Sequence, residues 1–159
     1  MWWFDRKLPF SFALVGFLAA CGFTPVLAPG GSALDLQGRI ATEEPDTRIE
    51  YALNRRLEER LGRPAAADLK LRTTLSIDED PSAFTSDREI TRYTLEGELK
   101  YRVEDTAGQL ITSGSVETFV GYSATGSTVA TLAAERDAED RLATALADLL
   151  VARLTIALQ

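Results

Sequence analysis

The sequence predicts an α+β domain in which two helices pack on one face of a mixed β-sheet of about four strands, in the order β-α-β-β-β-α. Three patterns carry that prediction. Ile49, Leu53, Leu57 and Leu61 recur every fourth residue, two later segments alternate apolar and polar residues, and Leu142, Leu146, Leu149, Leu150 and Leu154 stripe the C-terminal region. A four-residue recurrence puts apolar side chains on one side of a helix, whereas alternation puts them on one face of a strand. The helices need an apolar surface and the half-buried strands offer one, which gives a two-layer arrangement.

The first element is a strand near 34–41, where Leu34, Leu36 and Ile40 are separated by polar residues. From Asp46 to Arg60 the period is helical, with Pro45-Asp46 at the start and Gly62 and Pro64 at the end. Glu50, Arg55, Arg56, Glu58 and Glu59 form its solvated side. Leu69, Leu71, Thr73, Leu75 and Ile77 then alternate with polar residues, and Tyr93, Leu95, Leu99, Tyr101 and Val103 do so more clearly. Gly97 takes one inward slot of the second strand, the mark of a close backbone approach or a bulge. Between these strands Glu79–Glu89 reads as a long polar loop holding Phe84. Asp105-Thr106-Ala107-Gly108 is a hairpin turn, and the return strand covers about 109–122, with Gly114 a candidate bulge. Thr125–Thr128 precedes a helix over about 129–158. The other sheet face should carry Lys70, Arg72, Arg92, Lys100 and Arg102 amid acids and threonines.

Ahead of the domain the chain is organised for export. Arg6 and Lys7 precede the apolar run Leu8–Leu18, small residues follow at Ala19 and Ala20, and then comes Cys21. That order is a secretory signal peptide, and the run falls short of the roughly 20 residues a spanning helix needs. Leu18-Ala19-Ala20-Cys21 resembles the bacterial lipoprotein lipobox, and the resemblance implies cleavage before Cys21 and acylation of that residue. Gly22 in place of Asp implies sorting to the outer membrane. The expected organisation is a signal peptide over 1–20, a lipidated tether over 21–33 rich in Pro and Gly, and a single domain over 34–159.

Charge and composition then narrow the function. Residues 1–20 carry Arg6 and Lys7 against Asp5, a net +1, so a whole-chain charge of −7 leaves −8 from Cys21 onward. That balance argues against nucleic acid as a partner. There is no histidine and one cysteine, which removes His bases, Ser-His and Cys-His nucleophile pairs, and His- or Cys-ligated metals. No phosphate-binding loop or nucleophile elbow is present either. The sequence therefore predicts no catalytic residue, no metal site, no cofactor and no enzyme activity. A carboxylate-dependent hydrolase rests only on Asp78, Glu79, Asp80 and Asp87, which read better as a solvated acidic loop.

Cys21-Gly22-Phe23, the stretch Ile90-Thr91-Arg92-Tyr93-Thr94-Leu95 leading into the hairpin, and the run from Thr131-Leu132-Ala133-Ala134 through Asp140 into the last helix make the chain similar to the LptE family. The resemblance is one of architecture over the whole chain after Cys21. It implies an outer-membrane lipoprotein, facing the periplasm and a barrel lumen, that helps assemble and sits within a β-barrel translocon (an LptD-like partner) and binds lipopolysaccharide. Of the family's basic lipopolysaccharide contacts, Arg88 and Arg92 lie in the matching region, and only Arg136 lies near the second expected position around Ala134. The other reading is an auxiliary lipoprotein of an ABC-type phospholipid transport system, which would associate with an inner-membrane or periplasm-spanning complex.

Overall fold

The computed structural model describes residues 36–64 and 66–158. Cys21 and the tether, together with the first part of the expected 34–41 strand, lie outside the described residues. The elements are β1 (Ile40–Thr42), α1 (Arg48–Leu61), β2 (Leu69–Phe84), β3 (Ile90–Asp105), β4 (Leu110–Ser123) and α2 (Thr128–Ala157), an α+β fold in the predicted order. The sheet order is β1-β2-β3-β4. β1 runs parallel to β2 over three residues only, whereas β2–β3 and β3–β4 are long antiparallel pairs.

Helix α1 starts one turn-position later than the Pro45-Asp46 signal suggests, because Thr47 is the better cap. Its hydroxyl accepts from the Glu50 amide while the Glu50 carboxylate accepts from the Thr47 amide at 3.0 Å, a complete capping box. Thr47→Ala should lower stability by about 1 kcal/mol, read as a shifted denaturant midpoint at unchanged slope. Leu53, Leu57 and Leu61 bury as the period requires. The two helices run parallel: Arg48 bonds to Glu139 and Asp140 near the α1 N-terminus, and eight residues on Arg56 clasps Asp148 with two bonds of 3.0 Å.

From Tyr93 to Val103 the apolar residues of β3 face the helices, and Leu99 and Val103 are fully buried in one core with Leu142, Leu146, Leu150 and Leu154 of α2. Gly97 is a close approach, not a bulge: a Cβ there would meet Leu146 Cδ1 at 3.0 Å and Leu142 Cδ2 at 3.1 Å. Gly114 is not a bulge either, since the β3–β4 register is unbroken from Thr112 to Ser123. It makes room for the Tyr101 ring, whose hydroxyl would lie 2.9 Å from an added Cβ. The one irregularity in this ladder falls between Val103 and Glu104.

The expected loop over 79–89 is mostly strand. β2 continues to Phe84, paired with β3 down to Ile90, and only five residues connect them. Apolar content is a poor guide here because Asp78, Asp80 and Pro81 lie beyond the reach of β1, on a stretch with one side unpaired. Pro is tolerated on such an edge, where its missing N–H deprives no neighbour. Register shifts between Pro81, Ala83 and Phe84 make the end of the strand irregular, and Phe84 is 59 % exposed, so it does not tuck onto the core.

Candidate functional site

Arg88 and Arg92 come to the same end of the sheet. The turn that holds Arg88 runs Thr85-Ser86-Asp87-Arg88: the Arg88 amide donates to the Thr85 carbonyl at 3.1 Å, the Thr85 amide donates to the Glu89 carbonyl, and Thr85 Oγ1 accepts from the Glu89 amide. The β3–β4 turn repeats this pattern. There the Gly108 amide donates to the Asp105 carbonyl at 3.0 Å, the Asp105 amide donates to the Gln109 carbonyl, and Asp105 Oδ1 accepts from the Gln109 amide. Both are tight turns closed by a residue in the left-handed region. In the second turn that residue is Gly108 (φ 80), while in the first it is Arg88 (φ 65), the single non-glycine with positive φ among the described residues. An L side chain in that conformation carries a steric cost of about 1 kcal/mol or more, so the guanidinium is retained at the expense of local strain.

Arg92 lies two residues into β3, on the sheet face away from the helices, opposite Ser123 and beside Gly121. Eleven of the fifteen described cations pair with a carboxylate; Arg88, Arg92, Arg136 and Arg153 do not. Among the described residues Arg88 and Arg92 thus keep their guanidinium forks unpaired, the group that grips phosphate with two parallel bonds. Arg136 belongs to the helical layer, where its backbone carbonyl accepts from Arg48 Nη2 at 3.2 Å. Arg88 and Arg92 thus lie toward the same end of the sheet, whereas Arg136 belongs to the helical layer.

The inner face braces this end of the sheet. Tyr93 and Tyr122 stack with centroids 5.4 Å apart, and the Tyr122 hydroxyl donates to Glu79. Sequence parity alone places Glu79, Tyr93 and Tyr122 on the inner side, a signal the charged context of Glu79 obscures. Burial, first, and the Glu79 carboxylate push the Tyr122 phenol well above its ordinary value of 10. The folded state therefore holds that proton after the unfolded chain has released it. The contribution is complete below about pH 10 and is lost as pH rises further. Tyr122→Phe should flatten the loss of stability above pH 10, measured as denaturant midpoints against pH.

The acidic residues once grouped by sequence are dispersed. Asp78 and Asp80 lie on the open face, Glu79 on the helix side, and Asp87 is an exposed residue of the turn. Among the described residues no His, Cys, Asp or Glu cluster is arranged to hold a metal ion, and no helix is long and apolar enough to cross a membrane.

Two parallel helices on one side of a four-stranded sheet, with a bare polar face opposite and a strained arginine at a hairpin tip, define a two-layer α+β module. The chain belongs to the LptE family: the family model, described as lipopolysaccharide-assembly, matches residues 36–154. Solved structures share the fold at low identity. A Caulobacter crescentus protein is 24% identical with a TM-score of 0.63, covering 78% of this chain and 93% of that one. Rare lipoprotein B from Shewanella oneidensis is 13% identical at 0.56, covering 73% and 91%. A minor lipoprotein from Acinetobacter baumannii is 15% identical at 0.57, covering 75% and 91%. No curated protein matches the chain at the level of sequence.

Proposed function

We propose that this protein is an outer-membrane lipoprotein, anchored through Cys21, that helps assemble and sits within a β-barrel translocon delivering lipopolysaccharide to the cell surface. It acts without catalysis, and Arg88 and Arg92 contact the lipid's phosphates. Membership of the lipopolysaccharide-assembly family carries the role. The free guanidiniums at the hairpin end, one of them kept in a costly conformation, support the residue assignment. The family match gives the phospholipid-transport reading no support.

Crosslinkers placed singly at 85–92 in living cells test the proposal. Adducts with both a barrel protein and lipopolysaccharide are expected at Arg88 and Arg92. Adducts with an inner-membrane transport complex would overturn it.

The anchor is a leash in this reading, since a triacylated cysteine exceeds the roughly two acyl chains that stable attachment takes. Cys21→Ala should leave the protein outside the outer-membrane fraction, yet a soluble 34–159 domain delivered to the periplasm should still be recovered with the barrel. Loss of barrel recovery together with the lipid would make Cys21 part of the interface.

A further inference from the structure

The sheet has two free edges, and they differ. Beyond its short pairing with β1, β2 is guarded at one end by Glu43, which pairs with Lys70 and Arg72, and at the other by Asp78, Asp80, Pro81 and the irregular register that follows. Charges, proline and bulges are the usual devices that keep an edge from pairing with another chain. The outer edge of β4 has almost none of them. Over Leu110–Ser123 there is no proline, no lysine or arginine, and a single charge, Glu117. Ile111, Thr112, Val116, Thr118, Phe119, Val120 and Tyr122 make it a strong strand former.

Which backbone groups face outward follows from the ladder. The Ala124 amide donates to the Thr91 carbonyl, so even-numbered β4 residues bond to β3 and odd-numbered ones turn their N–H and C=O away. At Gly121 the outward carbonyl is taken by Arg141 Nη2 at 3.3 Å, which closes the edge there. Among the described residues nothing takes the outward groups of Ser113, Ser115, Glu117 and Phe119. One donor and one acceptor repeating every second residue are met by water while the edge is bare, and a second extended strand is the protein element whose own spacing matches all of them at once.

The side chains of these four residues lie on the open sheet face, Phe119 at 71 % exposure. Beside them is a depression of about 480 Å³ lined by Asp78, Glu96, Glu98, Glu117 and Phe119. Among the described residues Asp78, Glu96 and Glu117 have no cationic partner; Glu98 alone pairs, with Lys100. A strand laid along β4 places a side chain opposite Glu117 within reach of this acidic row.

We propose that the β4 edge over residues 113–119 accepts an extended strand of a partner protein, one that carries lysine or arginine opposite Glu117 and an apolar residue opposite Phe119. The inference rests on the sheet alone and is independent of lipopolysaccharide binding. A second copy of this chain fits poorly. Antiparallel self-pairing with both helical layers on one side must match odd residues with odd. The two registers of greatest overlap put Glu117 opposite the other Glu117, or opposite Ser115 with the carboxylates on a diagonal. Both place like charges as neighbours, on a chain of net charge −7.

The probe is a peptide of alternating threonine and valine with one central lysine, about nine residues long to span 113–119, added to the full-length protein. Slowed hydrogen exchange at the amides of 113, 115, 117 and 119 is the expected result. The same peptide with central glutamate should bind at least about tenfold more weakly, and Glu117→Lys should invert that preference. Ser115→Pro removes an outward donor but no bond to β3, so it should weaken the lysine peptide by about tenfold or more while the protein stays folded. Unchanged exchange at those four amides, or slowing that neither variant alters, would overturn the proposal. So would protection without peptide that grows with protein concentration, which would identify a second copy as the occupant.

Discussion

Leu146→Ala should destabilise the domain by about 2–5 kcal/mol, a large fraction of the 5–15 kcal/mol that separates a native domain from its unfolded chain. Leu146 is fully buried in α2, and its Cδ1 stands where a Cβ on Gly97 would come within 3.0 Å. The two positions form one contact. Gly97→Ala alone should cost about 1–3 kcal/mol, because the added methyl presses on Leu142 and Leu146 in a packed core. In the Leu146→Ala background the same methyl enters the space that the leucine has vacated. The double variant should therefore be more stable than the sum of the single effects by about 1 kcal/mol or more, the coupling expected of touching residues. Denaturant midpoints of the four proteins measure it. Strict additivity would show that α2 does not rest on β3 at Gly97.

How much of this was legible beforehand depends on which physical signal each element uses. Helix α1 and strand β3 follow directly from periodicity, since Leu53, Leu57 and Leu61 or Leu95, Leu99 and Val103 can meet a core only if the backbone takes the matching form. Gly97, standing in an apolar slot, marks a close approach or a bulge, and the choice between them needs the Leu142 and Leu146 side chains above it. The end of β2 was hidden because Asp78–Phe84 owes its structure to its partner strand rather than to apolar burial. Its charged, proline-containing composition has the look of a loop for the same reason that it makes a guarded edge.

The site divides in the same way. Arg88 and Arg92 could be chosen as residue types in a place, but nothing in the polar run Thr85–Glu89 announces a left-handed residue at 88. The signal existed in the neighbouring turn: Thr85 and Asp105 hold the same role, and aligning them sets Arg88 against Gly108. The availability of the β4 edge was likewise unreadable, because alternation tells which face a side chain takes and is silent on which backbone groups find a partner.

That alignment of turns yields the sharpest test of the lipid contact, because it separates folding from binding by sign. Arg88→Gly should raise stability by up to about 1 kcal/mol: glycine takes the left-handed conformation without the steric cost, less the extra chain freedom it brings to the unfolded state. If Arg88 grips a phosphate as proposed, the same substitution removes a charge-assisted bond of about 1.5–3 kcal/mol, so affinity for lipopolysaccharide should fall roughly ten- to a hundredfold. A variant that is more stable and binds less cannot be explained by damage to the fold. Arg92→Gln should weaken binding too, but with stability nearly unchanged, since Arg92 stands on an ordinary strand position with no carboxylate partner among the described residues. Arg136→Gln, in the helical layer, should leave binding as it was. Thermal unfolding and binding to purified lipopolysaccharide, run on the three variants side by side, read both quantities. If Arg88→Gly gains stability and keeps full affinity, the strained arginine serves something other than the lipid, and the phosphate contact has to be sought elsewhere on the open face.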